Sequence, residues 1–408
     1  MTKKILVLVP ALALAVAAGA GDWTQWRGSN RDLLIEDEAV AGSWPADGPK
    51  QLWQIDLEGD GYAEPIIVAG KIYITGCVGG KKERKGMIYC LNASNGSMVW
   101  EKEYGPEWGQ SYERARTTPT CLDGKLYIIS GVGGVICLDA TKGSILWSVD
   151  SHKEFGGKNI TWGIAENPLI YGGHLICQPG GAGASVVALD IKTGKLVWKS
   201  TELSEKSAYC SPDLIIINGR KQLVTMLEDH VVGLNPATGK LLWKYPHRNK
   251  NAVHPNTPIA AGKDRVFVSS GYGYGAEVLE INGGEVKQIW QEKSVDNHFQ
   301  GAAFYKGRIF TSGGGKFWCL DPASGRAHFT VKEAKKASFC ILEDGMIITY
   351  DDHGGQVLLL KVAENTYEIK GSFKITYGND AHWSSPVVSG GVMYLRRGKG
   401  LAAFAVGR

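Results

Sequence analysis

The sequence predicts an all-β protein. The expected fold is an eight-bladed β-propeller with four-stranded blades, its ring closed by an N-terminal strand joining the C-terminal blade. Three observations predict it. A nine-residue phrase, "DIKTGKLVW" at 190–198, recurs as "NPATGKLLW" at 235–243 and "DATKGSILW" at 139–147. Glycine makes up 54 of 408 residues, about twice the usual share of roughly 7%. With no low-complexity stretch, that abundance fits many tight turns between short strands. Finally, one strand is left over near the start of the chain and one is missing at its end.

The first element is an expected export signal over residues 1–20. "MTKK" gives a positive start, "ILVLVPALALAVAA" an apolar run, and "AGA" small residues at a cleavage site. The mature chain is therefore expected to begin near Gly21 and to be periplasmic or secreted. No Cys follows the site to carry a lipid, and no later run of 18 apolar residues suggests a transmembrane segment in the mature chain. Without Lys3 and Lys4, the 45 basic residues become 43 against 41 acidic ones. A nearly neutral chain of this kind is not expected to bind nucleic acid.

Residues 21–50 read as an N-terminal extension, and 51–408 as the propeller. The repeated phrase reads as a hairpin corner. An Asp or Asn side chain accepts from a backbone N–H two residues on, and a Gly supplies positive φ before the next strand. Copies join Asn92 to Trp100, Asp139 to Trp147, Asp190 to Trp198 and Asn235 to Trp243. Weaker ones join Asn282 to Trp290 and Asp321 to Phe329, and a degenerate copy ends near Phe373. A period in the 40s with three more strand-like runs per unit describes a propeller blade. The aromatic at the end of each phrase is expected to wedge between blades. Trp53 stands alone 47 residues before Trp100, while "SPVVSG", "GVMYLR" and "GLAAFAV" are three C-terminal strands lacking a fourth. Joining the ends closes the ring and removes free sheet edges.

The eight Cys are even in number, yet Cys90, Cys137 and Cys319 occupy a position where a sister repeat has Ala188. They read as small buried residues more readily than as bridge halves. The sequence leaves the pairing of the others open.

The pattern D-x-x-T-G-K-x-x-W resembles the tryptophan-docking motif of the pyrroloquinoline-quinone (PQQ) repeat propellers. That family includes quinoprotein alcohol dehydrogenases and the outer-membrane assembly propeller of the BAM complex. "WTQWRGSNRD", residues 23–32, followed by "SWPADGPKQLW", resembles the N-terminus of secreted bacterial PQQ-like repeat proteins. The resemblance spans nearly the whole mature chain. It implies the fold; propellers host many activities.

Chemistry is expected on the face opposite the Asp–Gly corners, where loops enter the innermost strands. Pro65, Pro119, Pro168, Pro212, Pro258 and Pro386 mark six inner strands, with Ala302 and Cys340 in the same place in the other two. Four residues earlier stand His254, His298, Lys336 and His382, in consecutive blades. Next to that register come Tyr62, Arg116, Tyr209 and Trp383, with Arg114, Trp162, Glu166, Asn256 and Gln300 nearby. "YDDHGG" adds Asp351, Asp352 and His353. These residues suggest a funnel with a cationic, titratable sector and an aromatic rim, able to hold an anionic or aromatic ligand. The competing reading is that funnel mouths are polar because they are wet.

Three functional classes follow: a non-catalytic binding or scaffold propeller, a PQQ-dependent dehydrogenase, and a lyase or hydrolase using funnel carboxylates and histidines. The resemblance implies, for the dehydrogenase, a quinone held between a Trp and a vicinal disulfide, and a Ca²⁺ held by Glu, Asn and Asp. This chain has no adjacent Cys pair and no long insertions to roof a site, and only Trp162, Glu166 and Asn256 echo that set. The binding propeller is the expectation. Its partner would be an unidentified protein or a small anionic ligand. No cofactor is expected; PQQ with Ca²⁺ is the alternative.

Overall fold

The computed structural model describes residues 21–35 and 40–407; the expected signal peptide lies outside the described residues. Eight antiparallel sheets of four strands each follow one another along the chain. Seven span 66–106, 120–150, 169–199, 213–246, 259–292, 302–331 and 337–374. The eighth combines three strands over 387–405 with Gln51–Asp56. One short helix, Ser151–Phe155, follows the second blade. The closure pairs Gln51 with Phe404, Trp53 with Ala403 and Asp56 with Gly400.

The corners form as their residues dictate. Asp139 Oδ1 accepts from the N–H groups of Thr141 and Lys142 at 2.8 and 2.9 Å, and Gly143 N donates to the Asp139 carbonyl at 2.8 Å. The pairing register then shifts between Ile145 and Trp147. That bulge turns the Trp toward the following blade. Trp53, Trp147 and Trp290 each donate through Nε1 to a carbonyl in the next blade's corner (Ala93, Ile191 and Pro322) at 3.0 Å. Their rings lie on the corner glycines, where an added Cβ would come within 2.6–2.8 Å of the indole of Trp53, Trp147 or Trp290 at Gly96, Gly194 and Gly325. The five clear corner glycines all have φ between 68° and 72°, so Gly serves both the turn and the docking. The rings of Trp100 and Trp198 lie on Gly143 and Gly239 likewise, but without the Nε1 hydrogen bond.

Trp243 departs from the pattern. The next corner, paired at Asn282 and Glu285, has no docking glycine, and Trp243 Nε1 instead donates to Gln222 of its own blade at 2.7 Å. Trp198, Trp243 and Phe329 are buried, whereas Trp53, Trp100, Trp147 and Trp290 are half-buried. Between blades the core is aliphatic, as where Val224, Val231 and Trp243 meet Val266, Val268 and Leu279. All eight Cys are unpaired, and seven are buried.

The N-terminal stretch lies inside the ring. Trp23 exchanges backbone hydrogen bonds with Ile67 of the first inner strand, and Thr24 accepts from Cys121 of the second. Arg31 donates to the carbonyls of Pro168 and Pro212 at 3.1 Å and pairs with Asp213 at 3.4 Å. Arg27 donates to the Ala302 carbonyl. Leu34–Ile35 adds a parallel strand beside Ile341 and Leu342 of the seventh blade, and Ser389 of the eighth donates to the Gly21 carbonyl. The segment thus touches seven of the eight inner strands and stops one end of the axial channel.

Candidate functional site

Above this stop the channel opens into a cavity of about 380 Å³. Trp26, Arg27 and Leu33 form its floor. Its throat is a ring of residues that immediately precede the inner strands. Glu64 N donates to Thr118 Oγ1 at 3.0 Å, Thr118 N to Asn167 Oδ1 at 2.7 Å, and Asn167 N to Ser211 Oγ at 2.9 Å. In these four consecutive blades the last loop residue therefore satisfies the backbone of its neighbour, which fixes this part of the throat.

Aromatic rings line the mouth. Trp383 lies 4.6 Å from Tyr62, 4.9 Å from Phe299 and 5.8 Å from Tyr112; Trp162 lies 5.7 Å from Tyr209 and 6.3 Å from Tyr112. On the other side, His298 sits 4.8 Å from Tyr272, next to Lys336, Asp352 and His353. Backbone carbonyls hold several of these side chains. Arg116 donates to the carbonyls of Trp162 and Tyr112, and burial holds its pKa below the usual guanidinium value. Burial also raises the carboxyls of Glu64 and Asp352, the latter opposed by its bond to His353. His298 is lowered by burial first and by Lys336 second.

Of the candidates named from sequence, Tyr62, Arg116, Trp162, Tyr209, His298, Gln300, Lys336 and Trp383 line this cavity. The others do not. His254 is fully buried, its Nε2 facing the Glu228 carbonyl at 3.3 Å and its ring against His247. His382 is buried against Tyr350, with its Nδ1 hydrogen-bonded to the Tyr350 hydroxyl at 2.5 Å. Glu166 accepts from Gln178 N and Nε2 at 2.9 Å. Asn256 joins two blades, donating to the Asn297 carbonyl and accepting from Gly301 N. Arg114 bridges Asp380 at 2.7 Å and Asp60 at 3.6 Å outside the cavity. The expected convergence of His254, His298, Lys336 and His382 on one sector is corrected: only His298 and Lys336 meet there.

In the blades marked by Pro, alternation along the entry loop is the reason, whereas in the other two His298, Gln300 and Lys336 reach the cavity from the opposite parity. In extended chain, successive side chains point to opposite sides. In the blades marked by Pro, positions one and three before it face the axis: Glu64 and Tyr62, Thr118 and Arg116, Ser211 and Tyr209, Ser385 and Trp383. Positions two and four before it face into the blade wall, which takes Glu166, Asn256, His254 and His382 away. The throat residues were missed by sequence reasoning, although their place just before each Pro was the available signal. Trp26, Arg27 and Leu33 were missed as well, and no local pattern marks them.

The quinone alternative can be tested against these positions. Glu166 and Asn256 are held in separate blades by protein partners, away from Trp162. Among the described residues no three His, Cys, Asp or Glu side chains converge as metal ligands, and the Cys are unpaired. The residues do not assemble the cofactor set that the resemblance implies.

Comparison with known proteins gives the same fold. BamB from Moraxella catarrhalis superposes with a TM-score of 0.61 at 13% identity, over 88% of this chain and 99% of that one. A quinohemoprotein alcohol dehydrogenase from Comamonas testosteroni gives 0.66 at 12% identity, over 98% and 83%. A europium-containing methanol dehydrogenase gives 0.67 at 14%, over 93% and 90%. These identities establish likeness of fold. No curated protein matches the chain. A family model described as outer membrane protein assembly factor BamB matches residues 84–330, more than half of the sequence, and the chain belongs to that family of PQQ-like repeat propellers.

Proposed function

We propose that the protein is an exported, non-catalytic binding or scaffold propeller that works through its funnel face. One observation carries this reading: the acid–base groups around the funnel are engaged within the protein, while the aromatic faces are presented to the cavity. Glu64 accepts from Arg27 N, Asp352 is shared by His353 and Gln300, and His382 is bound to Tyr350. A general acid or base must reach the proton it moves. Recognition needs apolar walls with a few placed polar groups, which Tyr62, Tyr112, Trp162, Tyr209 and Trp383 supply beside Arg116, His298, Gln300 and Lys336.

The family's description, outer-membrane protein assembly, supports a protein partner in the cell envelope and a periplasmic or secreted location. A small anionic ligand is the other class that the lining suits. The dehydrogenase reading draws on structural likeness alone, and the lyase or hydrolase reading has one carboxyl–histidine pair in the lining, Asp352 with His353, whose carboxyl is buried and also meets Gln300.

The test is a Trp162→Ala/Trp383→Ala double variant. It should remain folded and lose at least about tenfold in affinity for whatever the parent binds, since such anchors contribute roughly 2 kcal/mol or more each. In parallel, alcohol-dependent dye reduction by the parent protein supplied with PQQ and Ca²⁺ would sink the non-catalytic reading.

A further inference from the structure

We propose that the closed end of the funnel is a carboxylate-binding subsite built by the N-terminal segment. Arg27 is its anion-recognising group, and the funnel takes a ring-shaped organic acid whose body lies against the aromatic rim. The inference rests on the binding reading above and names its ligand class.

Two arginines enter the ring from residues 23–32, and they are used differently. Arg31 is spent on structure, with its fork on the carbonyls of Pro168 and Pro212 and on Asp213. Arg27 lies at the cavity floor and is only 2% exposed, yet just one of its N–H groups is used in this way, on the Ala302 carbonyl. Its Nε and Nη1 are buried without a hydrogen-bond partner. A guanidinium presents five donors in a fixed fork that matches a carboxylate. Leaving such donors unmet in a desolvated place is unfavourable. An acceptor arriving from the adjoining cavity would offset that cost.

The lining favours an acid over the alternatives. Arg27, Arg116 and Lys336 place three cationic side chains around the cavity. Arg116 is held by carbonyls rather than by a carboxylate, so its charge is not cancelled. The two carboxyls of the lining already have partners: Glu64 meets the Arg27 backbone at 3.3 Å, and Asp352 is bound by His353. An aromatic cage alone would suit a cation, but these three side chains oppose one. A neutral acceptor could meet the Arg27 donors, as the Ala302 carbonyl does, but its bond lacks the charge assistance that a carboxylate brings. The cavity is near the lower end of the usual 300–1,000 Å³ for ligand sites, room for about one ring and its substituents. Arg27 and Lys336 also lie outside residues 84–330, the part matched by the family model.

A sugar acid and an aromatic acid share this chemistry. The experiment is calorimetric titration of the full-length protein with D-galacturonate and 4-hydroxybenzoate, each against its uncharged counterpart, D-galactose and 4-hydroxybenzamide. At least one acid should bind, and its neutral counterpart at least tenfold more weakly; which acid binds identifies the source. Arg27→Gln should weaken the acid at least tenfold and leave the neutral compound unchanged. Lys336→Glu, at a half-buried wall position, should do the same and stands in if the Arg27 variant does not fold. Equal binding of acid and neutral compound, or unaltered acid binding in a folded variant, overturns the subsite and leaves the funnel reading intact. Absence of acid binding overturns the subsite too. The funnel reading falls as well if the rim double variant also leaves every interaction of the parent unchanged.

Discussion

The histidines near the funnel show how burial, rather than sequence position, sets chemistry. His254 is pushed down to about 3 by burial first and by neighbouring His247 second, and His382 to about 4 by burial first and Arg397 second. Both remain neutral where an ordinary histidine would titrate. The sign of the consequence is fixed. Above pH 6.5 these residues are neutral in both folded and unfolded chains; below it the unfolded chain takes up protons that the native one refuses. Stability is therefore lost as pH falls from about 6.5 toward 4. Each histidine should account for about 2 kcal/mol at pH 5. Glu166, raised to about 7 by burial, has the opposite sign, losing its contribution as pH rises from about 4.5 through 7. Urea unfolding at pH 7 and pH 5 checks this: His382→Asn should shrink the acid-induced loss by about 1–2 kcal/mol.

At the scale of the element, the corner and its docked Trp form one unit across two blades. Trp198 is buried, and its ring meets the Gly239 corner so closely that a Cβ there would lie 2.3 Å away. Trp198→Ala should cost about 3–5 kcal/mol by denaturant unfolding. Gly239→Ala, with φ of 72°, should cost more than about 1 kcal/mol although it adds only a methyl group. If the two losses sum fully in the double variant, the Trp and the Gly are not one unit. This unit was legible in the sequence because turn chemistry is local: Asx acceptor, glycine and aromatic lie within nine residues. The funnel candidates were legible only in part. Position relative to Pro located the loop, but the path of each loop decided which side chains meet the axis: of four residues in one register, His298 and Lys336 reach the cavity and His254 and His382 are buried away from it.

At the scale of the whole molecule, the ring is held by residues from its two ends. Deleting 51–56 strips the outer strand from Gly400–Ala405 and leaves a free edge. The expected result is a lowered Tm and concentration-dependent aggregation, read by calorimetry and light scattering. The N-terminal segment is the second closure. Arg31→Ala leaves the half-buried Asp213 carboxylate without its paired cation and the Pro168 and Pro212 carbonyls without their donor, and such a loss costs about 1–3 kcal/mol. Arg31→Ala/Asp213→Ala should recover part of it in the same unfolding assay.

By itself, the sequence determined the blade, the blade count and the closure, because each rests on a short periodic signal: alternation, a glycine corner, an aromatic eight residues after an Asp or Asn, and an unmatched strand at either end. Only the tertiary structure decided that residues 21–35 stop the channel. Trp23, Arg27, Arg31 and Ile35 find their partners at Ile67, Ala302, Asp213 and Leu342, tens to hundreds of residues away. Contacts so distant along the chain leave no local pattern. They exist because the closed ring has an axial channel, and a segment carrying two Trp and two Arg fills one end of it.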